Sequence, residues 1–187
     1  MKTQFRPLVS IFAFLVLITG VVYPLTITGL AQLFFPFQAN GSLIQVDEQV
    51  MGSELIGQDF SDPEYFWGRP SATSIHPYNA YDQASLTGST GSNLGPLSKK
   101  LVANVEERIN LLKSYDPSNS NLIPIDLVTS SASGLDPDIS VSAAYYQVPR
   151  IARERGLNES TVFSLVDQFT EPRQIGILGE PCVNVLL

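Results

Sequence analysis

Polar and apolar positions separate sharply along this chain. Residues 7–46 carry no formal charge, and within them residues 8–35 read LVSIFAFLVLITGVVYPLTITGLAQLFF. A bilayer core of about 30 Å is crossed by about 20 apolar residues at about 1.5 Å per residue. The run is apolar all round, unlike a surface helix with one buried stripe. It predicts a membrane-spanning helix over 8–35, preceded by a short segment, 1–7. The excess length implies tilt or projection beyond the membrane. Pro24 predicts a kink, and Gly20 and Gly29 permit close approach of another helix. A cleaved signal peptide is the competing reading, with Gly29-Leu30-Ala31 as the small residues before the cut. An apolar signal core of about 7–15 residues is much shorter than this run.

After residue 36 the pattern changes period. Residues 43–59 alternate loosely around Gly52 and Gly57, as short strands or a hairpin do. Residues 60–96 are irregular, with four prolines and four glycines. They also hold Phe60, Tyr65, Phe66, Trp67, Tyr78 and Tyr81, too many aromatics for a disordered linker. Leu97, Leu101, Val105, Ile109 and Leu112 recur at helical spacing and predict a helix over 97–113. Ile123, Ile125 and Leu127 alternate and predict a strand over 122–129, at an edge because of Pro124. Ser140 can cap a second helix that ends at Gly156, with Pro149 predicting a kink or a break into two short helices. Asn158 can cap a third, ended by Pro172. Ile175, Ile177, Val183 and Val185 predict two strands around Gly179-Glu180-Pro181. The predicted fold class is a single N-terminal transmembrane helix plus a small mixed α/β extracytoplasmic domain spanning 36–187, with a long ordered loop at 60–96.

Charge supplies the orientation. Lys2 and Arg6 precede the apolar run, and the next cation is Arg69. Positive residues stay cytoplasmic, so the N-terminus belongs inside and the rest outside. The chain has 187 residues, with 44% hydrophobic, 16% charged and a net charge of −7. The part after the apolar run holds all 18 acids and nine of the 11 bases, a net of −9. That disfavours a nucleic-acid surface. One cysteine, Cys182, excludes an internal disulfide, and one histidine, His76, excludes a Cys/His zinc cluster.

Few residues suggest chemistry. The glycine-rich segment 87–96 precedes a helix and its backbone N–H groups could hold an anion. It lacks the GK[ST] ending of a phosphate-binding loop and the GxGxxG spacing of a dinucleotide site, so a tight turn is the plainer reading. Asp136 and Asp138 precede the second helix and read as dipole-complementing caps rather than metal ligands. Arg150, Arg153 and Arg155 read as a solvated helix face, with phosphate, headgroup or carboxylate binding as the alternative. Arg69, among aromatics, reads as an anchor that stacks on a ring or reaches a buried carboxylate. His76 reads as a loop histidine, and Cys182 as a small hydrophobe in a strand. No GxSxG, HExxH or paired-carboxylate arrangement is present.

Several segments in order carry a resemblance. They are Phe66-Trp67-Gly68-Arg69-Pro70-Ser71-Ala72, Gly91-Ser92-Asn93-Leu94-Gly95-Pro96, residues 126–137 (DLVTSSASGLDP), Tyr146-Gln147-Val148-Pro149-Arg150-Ile151-Ala152 and Val183-Asn184-Val185-Leu186. With one N-terminal span, this pattern closely resembles the C-subunit family of Kdp-type, high-affinity potassium-transporting ATPases, over nearly the whole chain. The resemblance implies a non-catalytic accessory subunit in the cell membrane. Its implied partners are a P-type ATPase subunit and a channel-like potassium-translocating subunit, with a small single-span subunit as a further partner. It implies a role in assembly and as a catalytic chaperone that raises the ATP affinity of the hydrolysing subunit. ATP association is implied by the resemblance alone, with no tightly bound cofactor. The family's Ser-Gly-Gly-Ser-Asn segment has been likened to an ABC-transporter signature. Here it makes Ser89, Gly91, Ser92 and Asn93 the nucleotide-related candidates, and Thr90 replaces the first glycine. Arg69, Asp136 and Arg150 are the partner-binding or structural candidates. An outer domain cannot meet cytoplasmic ATP directly, so the expected action is indirect, or a cap over the potassium entrance. The rival readings are a membrane-anchored extracytoplasmic enzyme and a solute-binding module.

Overall fold

The computed structural model describes residues 4–73, 76–83 and 87–187. The chain divides into two compact units, Met1–Ser53 and Glu54–Leu187.

The first unit is led by a helix, Phe5–Phe34, long and apolar enough to cross a membrane. It comprises α1 (Phe5–Leu17), a π-helical turn (Ile18–Val22) and α2 (Tyr23–Phe34). The π-helical turn lies just before Pro24. Proline has no N–H to donate and its ring crowds the carbonyl four residues back, at Gly20, and the wider turn absorbs both. A short α3 (Pro36–Ala39) follows, then β1 (Leu43–Val46) and β2 (Gln49–Ser53), the hairpin that the alternation predicts. Its two-residue turn holds Asp47 at φ +51° and Glu48 at φ +65°. Positive φ at both positions matches the twist of the flanking strands.

The second unit is a mixed α/β domain. Its elements are β3 (Tyr81–Asp82), β4 (Thr87–Gly88), α4 (Lys99–Tyr115), β5 (Asp138–Ser140), α5 (Val141–Arg155), α6 (Glu159–Gln168), β6 (Thr170–Glu171) and β7 (Cys182–Asn184). β3 and β4 form a small antiparallel pair, and β7 lies between β5 and β6 in an antiparallel sheet. α5 is the central element. Ala143, Ala144, Val148 and Ile151 are buried on it, against Leu127, Ile139, Val162, Val166 and Val183. Each large apolar side chain so buried contributes roughly 1.5–3 kcal/mol.

Helix ends follow local chemistry. The Ser140 hydroxyl accepts from the Ala143 N–H (3.1 Å), and the Asn158 side chain accepts from the Ser160 N–H (3.0 Å). Gly156 ends α5 at φ +63°.

Four expectations need correction. Pro149 does not break α5, which runs through it. Val148 and Ile151 on either side are fully packed, and that packing outweighs a cost of about 3 kcal/mol for an interior proline. Residues 122–129 are not a strand. Ile125–Leu127 is a 3-10 turn in which Leu127 is buried and Ile125 is exposed. Pro124 has no N–H for a ladder, and its carbonyl accepts the Leu127 N–H at 3.1 Å instead. Ile175 and Ile177 lie in an exposed turn, so only Cys182–Asn184 forms a strand there. Asp138 opens strand β5, and neither Asp136 nor Asp138 caps α5.

Candidate functional site

The conspicuous constructions of the α/β domain are a buried arginine–tryptophan clamp and a cleft beside the glycine-rich segment. The clamp starts from the long loop. Trp67 is fully buried, and its ring N–H donates to the Asp62 carbonyl at 2.9 Å. Its backbone is read on both sides by Gln147 of α5. The Trp67 N–H donates to Gln147 Oε1 (2.8 Å), and Gln147 Nε2 donates to the Trp67 carbonyl (3.1 Å). Arg150, one helical turn on, donates to Gln147 Oε1 (2.7 Å), to the Tyr65 carbonyl (3.1 Å) and to the Pro63 carbonyl. Its guanidinium stacks 4.3 Å from the Trp67 ring centre, and that of Arg108 from α4 lies at 5.3 Å. Burial pulls Arg150 down to about 10, which leaves it charged at neutral pH.

Arg150 is therefore not part of a solvated face, whereas Arg153 and Arg155 stay exposed while holding partners. Arg153 pairs with buried Asp116 at 2.8 Å, and Arg155 donates to the Glu64 carbonyl at 2.6 Å and lies 5.0 Å over Tyr65. A loop with few backbone partners of its own needs donors from elsewhere, and arginine supplies several in a fixed fork.

Arg69 meets Asp136 at 3.0 Å, and both are partly exposed. Asp136 Oδ1 also accepts the Asp138 N–H. The Tyr78 hydroxyl donates to the Arg69 carbonyl at 2.6 Å, and burial pushes this phenol up to about 12.

The glycine-rich segment is stitched to residues 130–134. Ser89 donates to the Ser133 carbonyl (3.0 Å). A Cβ on Gly91 would lie 2.6 Å from the Ala132 carbonyl oxygen, so only glycine permits this approach. Asn93, at φ +51°, donates to the Gly91 carbonyl at 3.1 Å. The segment does not feed straight into a helix: α4 begins only at Lys99. Gly91, Ser92 and Leu94 instead border a cleft of about 710 Å³ with residues 70–72 and the side of α4. Lys100, Asn104 and Arg108 reach it from α4. Arg108 is already engaged, donating to the carbonyls of Leu127 (3.1 Å) and Gly68 (3.3 Å). The structure thus separates the candidates: Gly91 and Ser92 border the cleft, with Ser89 and Asn93 in the same segment, Arg69 pairs with Asp136, and Arg150 lies in the clamp.

Arg108 and Gln147 are the residues that sequence reasoning passed over. Arg108 stands three after Val105 and four before Leu112, so it shares the apolar face of α4. A charge in that register is the signal of a buried role. Gln147 lies inside the buried stripe of α5 for the same reason.

The family described as K+-transporting ATPase, c chain, matches residues 5–187. The chain belongs to this family. Proteins similar to it are named potassium-transporting ATPase KdpC subunit. One from Dechloromonas aromatica (strain RCB) is 58% identical over 186 residues, covering 100% of this chain and 94% of the relative. One from Methylococcus capsulatus is 53% identical, covering 100% and 95%. One from Janthinobacterium sp. (strain Marseille) is 52% identical over the same shares. As a c chain of the K+-transporting ATPase family, the protein is a membrane-associated subunit with one apolar N-terminal helix.

Proposed function

We propose that this c chain is a non-catalytic accessory subunit that holds the transport complex together and raises the ATP affinity of its P-type ATPase subunit. Its other partners are the channel-like potassium-translocating subunit and a small single-span subunit. The helix Phe5–Phe34 stays in the cell membrane with its N-terminus in the cytoplasm, and the α/β domain stands outside, over the potassium entrance. The observation that carries this reading is the family match across the whole described chain.

The chemistry of the domain supports it. Arg69, Arg108, Arg150 and Arg153 are all committed to internal carbonyls or carboxylates. They serve to order a surface, and ATP does not have to reach them. The effect on ATP affinity is then transmitted through the assembled subunits, with Gly91 and Ser92 shaping the cleft wall and Ser89 and Asn93 bonded to neighbouring backbone carbonyls.

The test compares the complex purified with and without this chain. Without it, the KM for ATP rises or the remaining subunits fail to assemble. An unchanged KM and turnover overturns the accessory role. Equilibrium dialysis of the free chain with ATP separates the routes: saturable binding at micromolar ATP overturns indirect action.

A further inference from the structure

Residues 174–179 form a tight turn that stability alone does not explain. Ile175 is 88% exposed, Ile177 74% and Leu178 55%. The turn is closed by the Gln174 N–H to the Leu178 carbonyl (2.8 Å) and by the Leu178 N–H to the Gln174 carbonyl (2.9 Å). An Arg173–Glu180 ion pair of 2.5 Å pins its base. Ile175 sits at φ +55°, between the Gln174 closure and Gly176 at φ +77°. A β-branched residue in the left-handed region is a genuine outlier, because its side chain crowds its own backbone. Glycine or asparagine would fit there without strain. The turn therefore holds a strained backbone and displays three aliphatic side chains to solvent, and both features go unrewarded in the free chain.

At the base of the turn lies a cleft of about 520 Å³. Asp126, Asp136, Asp138 and Glu180 line it, with Ile125 and Pro181 as apolar neighbours and Arg69 as its one lining cation among the described residues. Ile125 is itself 75% exposed. An apolar knob beside an acidic cleft specifies a complementary surface.

We propose that the turn 174–179, with this cleft, is where the chain docks on another subunit of the potassium-transporting ATPase, at an apolar pocket bordered by lysine or arginine. The inference rests on the accessory-subunit reading and names the surface it uses. Charge selects the occupant. A membrane surface favours apolar turns flanked by basic residues, and this flank is acidic. A second copy in a two-fold pair would set acidic cleft against acidic cleft. A partner with an apolar pocket and cationic rim satisfies both features, since an aliphatic anchor in a pocket with a polar rim is a sound interface core.

The test uses the full chain co-expressed with the other subunits, one of which carries the affinity tag. The double variant Ile175→Gly/Ile177→Ser is expected to reduce recovery of the chain with the complex at least tenfold. The isolated variant melts no lower than wild type, because glycine removes the strain at 175. Recovery at the wild-type level overturns the docking surface and leaves the accessory reading intact. If the wild-type chain itself does not co-purify, the accessory reading falls and the docking surface falls with it. Benzoylphenylalanine in place of Ile177 identifies the occupant in the assembled complex. An adduct with a partner subunit supports the proposal. An adduct with lipid or with a second copy, or no adduct, overturns it.

Discussion

Arg150 shows how one residue fixes a long irregular segment. It is 2% exposed, and its guanidinium serves two loop carbonyls, the Gln147 amide oxygen and the Trp67 ring. Removing it leaves the Pro63 and Tyr65 carbonyls without this donor, each costing about 1–3 kcal/mol where water cannot replace it, and strips the stack from the Trp67 ring. Arg150→Ala is therefore expected to cost roughly 3 kcal/mol or more. Arg150→Lys recovers only part of this, since an ammonium cannot form the fork or the flat stack. Urea denaturation of the full chain in detergent checks both, and a loss below 1 kcal/mol for Arg150→Ala would contradict the clamp. Asp138 gives the opposite kind of residue, one under electrostatic tension. Burial raises its carboxyl above the usual range, and the carboxylates of Asp136 and Glu171 push the same way. The native state thus binds this proton more tightly than the unfolded chain does. Stability falls as pH rises through the native value, and the penalty is complete above it. Asp138→Asn cannot ionise, so the variant is expected to be more stable than wild type at pH 7. The gap should narrow as pH falls toward 4, and an equal gap at both pH values would refute the assignment.

Elements differ in how far local sequence determines them. The ends of α5 and α6 were readable because Ser140, Gly156 and Asn158 act on groups within a few residues. The apolar span and the 43–53 hairpin were readable because their signals are local too: an unbroken apolar run in one, and strand-like alternation around a two-residue turn in the other. The sheet was not, because β5 pairs with a strand more than forty residues away. Nothing local distinguishes Asp138–Ser140 from a helix entry. The 3-10 turn at Ile125–Leu127 was hidden by an alternation that tertiary packing overrode: Asp126 Oδ2 accepts the Ser140 N–H at 2.7 Å, which ties the turn to β5. Of the candidate site residues, Arg69 does pair with a carboxylate, Asp136, but a partly exposed one. The burial of Arg150 was not legible, since Arg153 and Arg155 nearby made a solvated face look equally consistent. The contact between the glycine-rich segment and residues 130–134 is likewise long-range, and it makes an element-scale prediction. Gly134 stands at φ +70°, and a Cβ there would lie 2.7 Å from the Thr90 carbonyl oxygen and 2.7 Å from Thr73 Cγ2. Gly134→Ala is expected to destabilise by about 2 kcal/mol, through strain and crowding together. Amide exchange in 89–94 and 130–134 should rise together, because Ser89 and Gly91 bind this same stretch. Faster exchange confined to the immediate neighbours of 134 would show that the two segments are not coupled.

At the scale of the whole molecule the controlling quantity is charge. The unit Glu54–Leu187 holds 16 acids and nine bases, a net of −7. Four of those bases, Arg69, Arg108, Arg150 and Arg153, are tied to internal carbonyls or carboxylates, whereas Glu106, Glu107 and Glu159 are exposed. A domain so charged gathers cations near its surface, and on the placement proposed above a potassium entrance beneath it would see a raised local concentration. The field reaches only about 8–10 Å at physiological ionic strength and further in dilute salt. Steering of this kind therefore has a signature that a selective binding site lacks: it fades as inert salt is added. The triple variant Glu106→Gln/Glu107→Gln/Glu159→Gln is expected to weaken the apparent potassium affinity of the assembled complex about two- to threefold in dilute buffer. Wild type and variant should converge when choline chloride raises the ionic strength, because screening removes the advantage that the carboxylates confer. A difference that persists at high salt would indicate a local contact in place of a field. No difference in dilute buffer would show that the acidity of the domain serves its subunit contacts and not the approach of the ion.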